Sequence, residues 1–176
     1  SMVSLGIGTG FERSYHVLKR LGATPLGRPR LVLAKMSSVA VVELVQFAII
    51  VPVAYALGWS PTDVDWLLAV GAVLLGTMAF AGIGLTLAGR LRGEINLAAQ
   101  NGLYLVLLLL GGMVIPFSEL PSGIRTVAHG LPSGALADVL RETLGGAGTQ
   151  PATSWVVLAA WAVVMPAVAA ALFRWD

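Results

Sequence analysis

The sequence predicts an all-α, polytopic membrane protein: four complete transmembrane helices and the end of a preceding one, with an outer re-entrant amphipathic hairpin before the last span. Three observations predict it. Apolar runs at 36–58, 66–88, 97–115 and 155–173 fill about half of the 176 residues; with a rise of 1.5 Å per residue, runs of roughly 19 to 23 residues match a hydrocarbon core about 30 Å thick. The chain is 57% hydrophobic and only 11% charged, with a mean hydropathy of +0.85, whereas about a quarter of the residues in soluble domains are charged. The third observation is the sorting of basic residues by loop.

Arg13, Lys19, Arg20, Arg28, Arg30 and Lys35 precede the first complete span, Arg90 and Arg92 separate the second from the third, and Arg174 follows the last. If the spans alternate, all nine fall on one side and only Arg125 and Arg141 on the other, so the positive-inside rule makes the nine-base side cytoplasmic and leaves the C-terminus there. Trp59, Trp66, Trp155 and Trp175 stand at span ends, where amphipathic rings favour the headgroup layer. The excess of base is therefore a topology signal and not a nucleic-acid surface, which would need basic residues clustered on a soluble face.

Residues 1–11 are apolar and glycine-rich but too short to span, and they carry neither the basic leader region nor the cleavage site of a signal peptide. They read as the tail of an earlier transmembrane helix, so the chain is expected to be a fragment, or an open reading frame begun late, of a longer membrane protein. In 11–21, Phe11, Tyr15, Leu18 and Leu21 recur at helical spacing opposite Glu12, Arg13, His16, Lys19 and Arg20, which predicts an amphipathic helix on the membrane surface. Gly22 and then Pro25 stop it.

Beyond the third span, Leu120, Ile124, Val127, Ala128 and Leu131 form an apolar stripe against Ser122, Arg125, Thr126 and His129. A second short helix follows, with Ser133 as its cap, Leu136, Val139, Leu140 and Leu144 inward, and Gly145-Gly146 at its end. The pair is read either as a hairpin dipping into the membrane or packing on the span tops, or as a structured outer loop; 116–145 is assigned to it. The whole chain, 1–176, is one transmembrane domain.

Within the spans, Glu43 is the costliest residue. It lies about 12 Å deeper than Lys35 along a helix, where a carboxylate costs on the order of 2.5 to 3.5 kcal/mol on insertion scales unless protonated, paired or hydrated. A functional site and a hydrogen-bonded glue to Gln100 or Asn101 of the third span are both open readings. Gln46 shares the Glu43 face one turn on, and Asn96, Gln100, Asn101 and Tyr104 give the third span a polar start. Lys35 reads as a snorkelling residue at the border. Small residues in the second span suit close helix packing, and Pro52 and Pro166 suit kinks.

Several functions are excluded. No cysteine is present, which removes disulfides, thiolate metal sites and a cysteine nucleophile. No Gly-x-x-x-x-Gly-Lys motif exists to cradle phosphates. The two histidines, His16 and His129, fall on opposite sides of the membrane, so neither a histidine metal pair nor a Ser/His dyad in a span can form. Catalytic, cofactor and metal residues are accordingly none on this chain.

Two stretches resemble a known family. Glu12-Arg13, then 17–26 (Val-Leu-Lys-Arg-Leu-Gly-Ala-Thr-Pro-Leu), with Lys35 opening the next helix, is similar to the first cytoplasmic loop of the membrane subunit of type-2 ATP-binding-cassette exporters. Gly111-Gly112-Met113-Val114-Ile115-Pro116-Phe117, Glu119-Leu120-Pro121, Leu131-Pro132 and 137–141 resemble that family's late transmembrane helix and outer hairpin. The resemblance covers essentially the whole chain and implies a six-helix permease of which this sequence holds the end of the second helix and the third to sixth.

It implies that Phe11, Glu12, Arg13, Tyr15, Leu18, Lys19, Arg20, Leu21 and Gly22 form a coupling helix for a separate ATPase subunit, which would hold the ATP and Mg. It further implies a second permease copy, lipid around both, a bacterial cytoplasmic membrane, and a drug-like, lipid or glycolipid substrate moved outward past Glu43, Gln46, Gln100, Asn101 and Tyr104. A non-transporting membrane assembly protein and a proton-coupled carrier using Glu43 are the alternatives.

Overall fold

The computed structural model describes residues 2–15, 28–112, 114–146 and 151–172. Those residues are helical with no strand: α1 (Met2–Ser14), α2 (Arg28–Ala56), α3 (Trp66–Ala88), α4 (Gly93–Leu110), a 3-10 turn (Phe117–Glu119), α5 (Ser122–Gly130), α6 (Pro132–Thr143) and α7 (Pro151–Leu172). Four of them, α2, α3, α4 and α7, are long and apolar enough to cross a membrane. The chain is therefore an integral membrane protein of the polytopic helical class.

The bundle is organised around α3, which packs on α1, α2, α4, α6 and α7, most extensively on α7. Composition explains why. Its buried face consists largely of Ala69, Ala72, Gly76, Thr77, Ala79, Ala81, Gly82, Gly84 and Ala88, and in lipid, where helices gain nothing from hiding apolar surface, small residues drive association by letting backbones approach. A Cβ on Gly82 would sit 2.7 Å from the backbone of Met165 and Pro166 in α7, and one on Gly84 would sit 2.7 Å from the Met2 carbonyl oxygen of α1. Half of the most apolar window of α3 is buried, against none of that of α2, which lies on the outside of the bundle.

The helices depart from the sequence expectation mainly at their ends. Helix α2 begins at Arg28, ahead of the apolar run that starts at residue 36, and its candidate membrane span runs from Arg30 to Ala56. The third ends at Leu110, where Gly111 and Gly112 turn the chain; Gly112 takes φ +69°, and a Cβ there would meet the Phe117 ring. At the first loop, Phe11 and Glu12 belong to the last turn of α1, a helix that packs along α3 and α4, and not to a separate surface helix. Positions 16–27, including Leu18, Lys19, Arg20, Leu21 and Gly22, lie outside the described residues, as does the side chain of Arg13.

Helices α5 and α6 form the expected hairpin, and α6 packs along α3 and α7. Leu136 packs against Gly76, ten residues into α3 and so about 15 Å below its start, and Ala135 and Val139 join Ala72 and Leu158 in one buried cluster. Pro132 opens α6 at the position where its missing N–H costs nothing, and Leu131, not Ser133, is the cap residue. At the other end Gly146 N–H donates to Arg141 O at 2.7 Å and Gly145, at φ +84°, donates to Glu142 O at 3.3 Å. This is the paired pattern of a Schellman stop, and it requires the left-handed glycine.

Candidate functional site

At the end of the bundle that carries Arg90, Arg92 and Lys35, α1 finishes in two exposed aromatic rings. Phe11 (40% exposed) and Tyr15 (74% exposed) stack with centroids 6.3 Å apart. One residue from Phe11, the Glu12 carboxylate accepts from Lys35 Nζ at 2.5 Å. Lys35, read from the sequence as a snorkelling residue, is also an ion-pair partner tying α1 to α2. The tie fixes the last turn of α1, which carries Phe11, to the early part of α2.

Above this pair, α1, α3 and α4 are joined by two buried amides. Asn96 Nδ2 donates to the Gly6 carbonyl at 2.9 Å; Gln100 Nε2 donates to the Gly84 carbonyl of α3 at 2.8 Å and to Asn96 Oδ1 at 3.2 Å. Gly6 and Gly10 of α1 lie directly against these side chains, and a Cβ on either would overlap an amide nitrogen. Gln100 is fully buried. It is placed to hold three helices together.

The remaining expected polar residues fall into two separate clefts. Asn101 and Tyr104 are exposed, and they edge an apolar hollow of about 410 Å³ with Met2, Val3, Phe80 and Leu107; the Asn101 amide donates to Leu97 O of its own helix. Glu43 and Gln46 instead line a polar cleft of about 380 Å³ between α1 and α2, shared with Ser4, Leu5, Lys35 and Ser38. Thr77 Oγ1 of α3 donates to the Glu43 carboxylate. Thr77 of the second span is thus one hydrogen-bond partner of Glu43, while Gln100 is bonded to Gly84 and Asn96, and Asn101 to Leu97 of its own helix.

A third polar cluster, in the hairpin, was not anticipated. Asp138 is completely buried, with His129 Nδ1 at 3.3 Å, Ser154 Oγ donating at 3.2 Å and Arg141 Nη1 at 4.0 Å. Arg141 also donates to the Gly112 carbonyl beyond α4 and lies 5.9 Å from the centre of the Phe117 ring, itself 4.4 Å from His129. His129, read from the sequence as part of the solvent face of α5, turns inward to this carboxylate. The 137–141 motif contained the acid and the arginine, but no spacing rule links them to His129 or Ser154, which come from other helices. Among the described residues no group of three or more metal-binding side chains occurs.

The fold and these sites meet a clear likeness. A family model described as "ABC-2 family transporter protein" matches residues 1–171. A protein of Bacillus subtilis (strain 168) named "Putative transport permease YvfS" is 30% identical over 140 residues, covering 76% of this chain and 55% of the relative. The chain thus spans about half the length of the curated relative it matches. No solved structure matches it.

Proposed function

This chain belongs to the ABC-2 family of transport permeases, and from that membership we propose that it is the permease part of an ATP-driven exporter moving a drug-like, lipid or glycolipid molecule outward across a bacterial cytoplasmic membrane. Its role is that of a transport subunit rather than an enzyme. Hydrolysis of ATP, with Mg, belongs to a separate ABC ATPase subunit, and two permease copies flank the substrate path in the surrounding lipid. The basic end faces the cytoplasm, together with the C-terminus.

The observation that carries this reading is the stacked Phe11–Tyr15 pair, exposed beside the Glu12–Lys35 tie. Large exposed rings at the basic end of a membrane bundle suit a protein partner, since aromatic anchors dominate interface energetics. The tie beneath them couples that partner to α1 and α2 together. Residues through Gly22 continue the contact, with Arg13, Lys19 and Arg20 adding charge.

Co-purification tests it. An ABC ATPase encoded beside this gene is expected, and it should copurify with the wild-type permease, with Phe11→Glu plus Tyr15→Glu abolishing capture. Full retention by that double variant would reject the docking assignment. A proton-coupled carrier gives another signature: transport lost on Glu43→Gln yet indifferent to depletion of ATP.

A further inference from the structure

Where the end of α6 meets the end of α2, two hollows join. One, of about 360 Å³, is lined by Trp59, Leu140, Arg141 and Leu144 among others; the next, of about 430 Å³, is lined by Ile50, Ala54, Leu57, Trp59 and Leu144. They share Trp59 and Leu144, and so form one groove with a polar head at Arg141 and an apolar tail along α2. Ile50 lies seven residues before Leu57, which carries the tail about 10 Å toward the middle of the span. Trp59 sits at the junction, its ring 5.2 Å from Tyr55 and 6.3 Å from Trp66, and such rings mark the headgroup layer. Arg141 donates to the Gly112 carbonyl, and its Nη1 stands 4.0 Å from Asp138, beyond hydrogen-bond distance. A guanidinium carries five N–H groups, and this side chain is 42% exposed, so donors remain for a ligand in the groove. Around it the rim is acidic. Asp65 N–H donates to the Thr143 carbonyl at 2.9 Å, which lays the turn 59–65 on the end of α6 and brings the exposed Asp63 and Asp65 to the layer of the exposed Glu142. Arg141 is the only base in 57–65 and 137–146.

We propose that this groove holds one resident phospholipid with an ethanolamine head: its phosphate on Arg141, its ammonium toward the acidic rim, and one acyl chain over Leu144 and along Ala54 and Ile50. The planar fork of arginine matches phosphate oxygens. A lipid of net negative charge would bring its surplus charge among the acids of the rim, a choline head has no N–H to donate to them, and a hydrocarbon without a head would leave the Arg141 donors unused. An ethanolamine phospholipid satisfies the base, the acids and the apolar tail together. The proposal requires only that the chain crosses a membrane. It concerns a lipid that stays with the protein, and not the cargo of the permease reading.

The test titrates the full chain, delipidated in detergent, with dioleoyl phosphatidylethanolamine, phosphatidylglycerol or phosphatidylcholine and counts bound lipids by native mass spectrometry. One ethanolamine lipid is expected to bind saturably and several-fold more tightly than either of the others. Arg141→Gln is expected to weaken it roughly tenfold, the change that follows loss of one charge-assisted hydrogen bond; Arg141→Lys weakens it less, and Ala54→Trp, which fills the apolar tail of the groove, abolishes it. Because Arg141 also ties Gly112, thermal melting checks that Arg141→Gln folds; where it does not, Ala54→Trp and the order of the three lipids decide. Equal binding of the three lipids, or binding unchanged in Ala54→Trp or in folded Arg141→Gln, overturns the proposal. Glycerophosphoethanolamine, the head without its chains, is expected to leave the lipid in place; displacement at equal concentration would make this a site for a soluble phosphate ester and overturn the lipid assignment. No ATPase enters the measurement, so this binding and ATPase capture stand or fall separately.

Discussion

The two ends of the bundle are held by opposite strategies. At the hairpin end, one fully buried carboxylate, Asp138, collects His129, Ser154 and Arg141, and Arg141 in turn reaches Gly112 and the Phe117 ring. Toward the basic end, the helices are joined by a salt bridge, Lys35 to Glu12, and by two linked amides, Asn96 to Gly6 and Gln100 to Gly84 and Asn96. The first arrangement is a hub, whose partners all lose something when the centre is removed. The second divides the ties between an ion pair and a pair of linked amides, so that no single group holds all of the helices. In a protein read as driven from its basic end, the end that receives the push is also the end whose ties are individually weak.

The contrast can be broken at four points. Asp138→Ala should have the largest effect, a loss of about 3 kcal/mol or more in stability, because it strips a buried, hydrogen-bonded charge from its partners; thermal unfolding in detergent reads it, and Asp138→Asn, still able to accept from Ser154, should lose less. Equal melting of wild type and Asp138→Ala would remove the hub. Next comes Gly82→Leu, where the side chain must displace the α7 backbone at Met165 and Pro166; overpacking of this kind costs about 1–3 kcal/mol, and Gly71→Leu, with open space around it, should melt like wild type.

Gln100→Ala removes the bridge to α3 and should cost about 0.6 to 1.7 kcal/mol, the range for hydrogen bonds between helices in a membrane. The smallest effect is expected for Lys35→Met: the pair is partly exposed, at 17% and 40% for the two side chains, and such pairs contribute about 0–1 kcal/mol. Its stability should barely move while ATP-dependent transport falls, and the exchange Glu12→Lys with Lys35→Glu should restore transport. A stability loss as large as that of Asp138→Ala would make the pair a structural hub and erase the difference between the ends.

Much of the class was legible because the bilayer imposes length and charge rules on single segments. The span 66–88 coincides with α3 residue for residue, since Asp65 caps it by accepting from Leu68 N–H and Gly89 closes it. Trp59 and Trp66 do meet at a span border, with Tyr55 beside them. The hairpin was legible as two short helices but its depth was not, because insertion depends on Gly76 offering room to Leu136 across sixty residues of sequence.

The site was read less completely. Glu43 announced itself through the cost of a charge in lipid, but its neighbour Thr77 looked like any small polar residue of a span. Gln100 and Asn101 are adjacent in sequence and equally polar, yet one is buried between three helices and the other is exposed. A turn of about 100° separates consecutive residues on a helix, and which side faces protein depends on where α1 and α3 lie.

By itself, then, the sequence determined that the chain crosses the membrane, where four crossings fall, which end is basic and which groups are too costly to be accidental. These follow from transfer free energies and helix geometry, which act residue by residue. Only the tertiary structure decided that α3 is the centre, that Lys35 is closed by Glu12, that Asp138 is a hub and that Glu43 lines a cleft beside α1. Those are outcomes of which backbones can approach, and approach is a property of pairs of helices that no single segment carries.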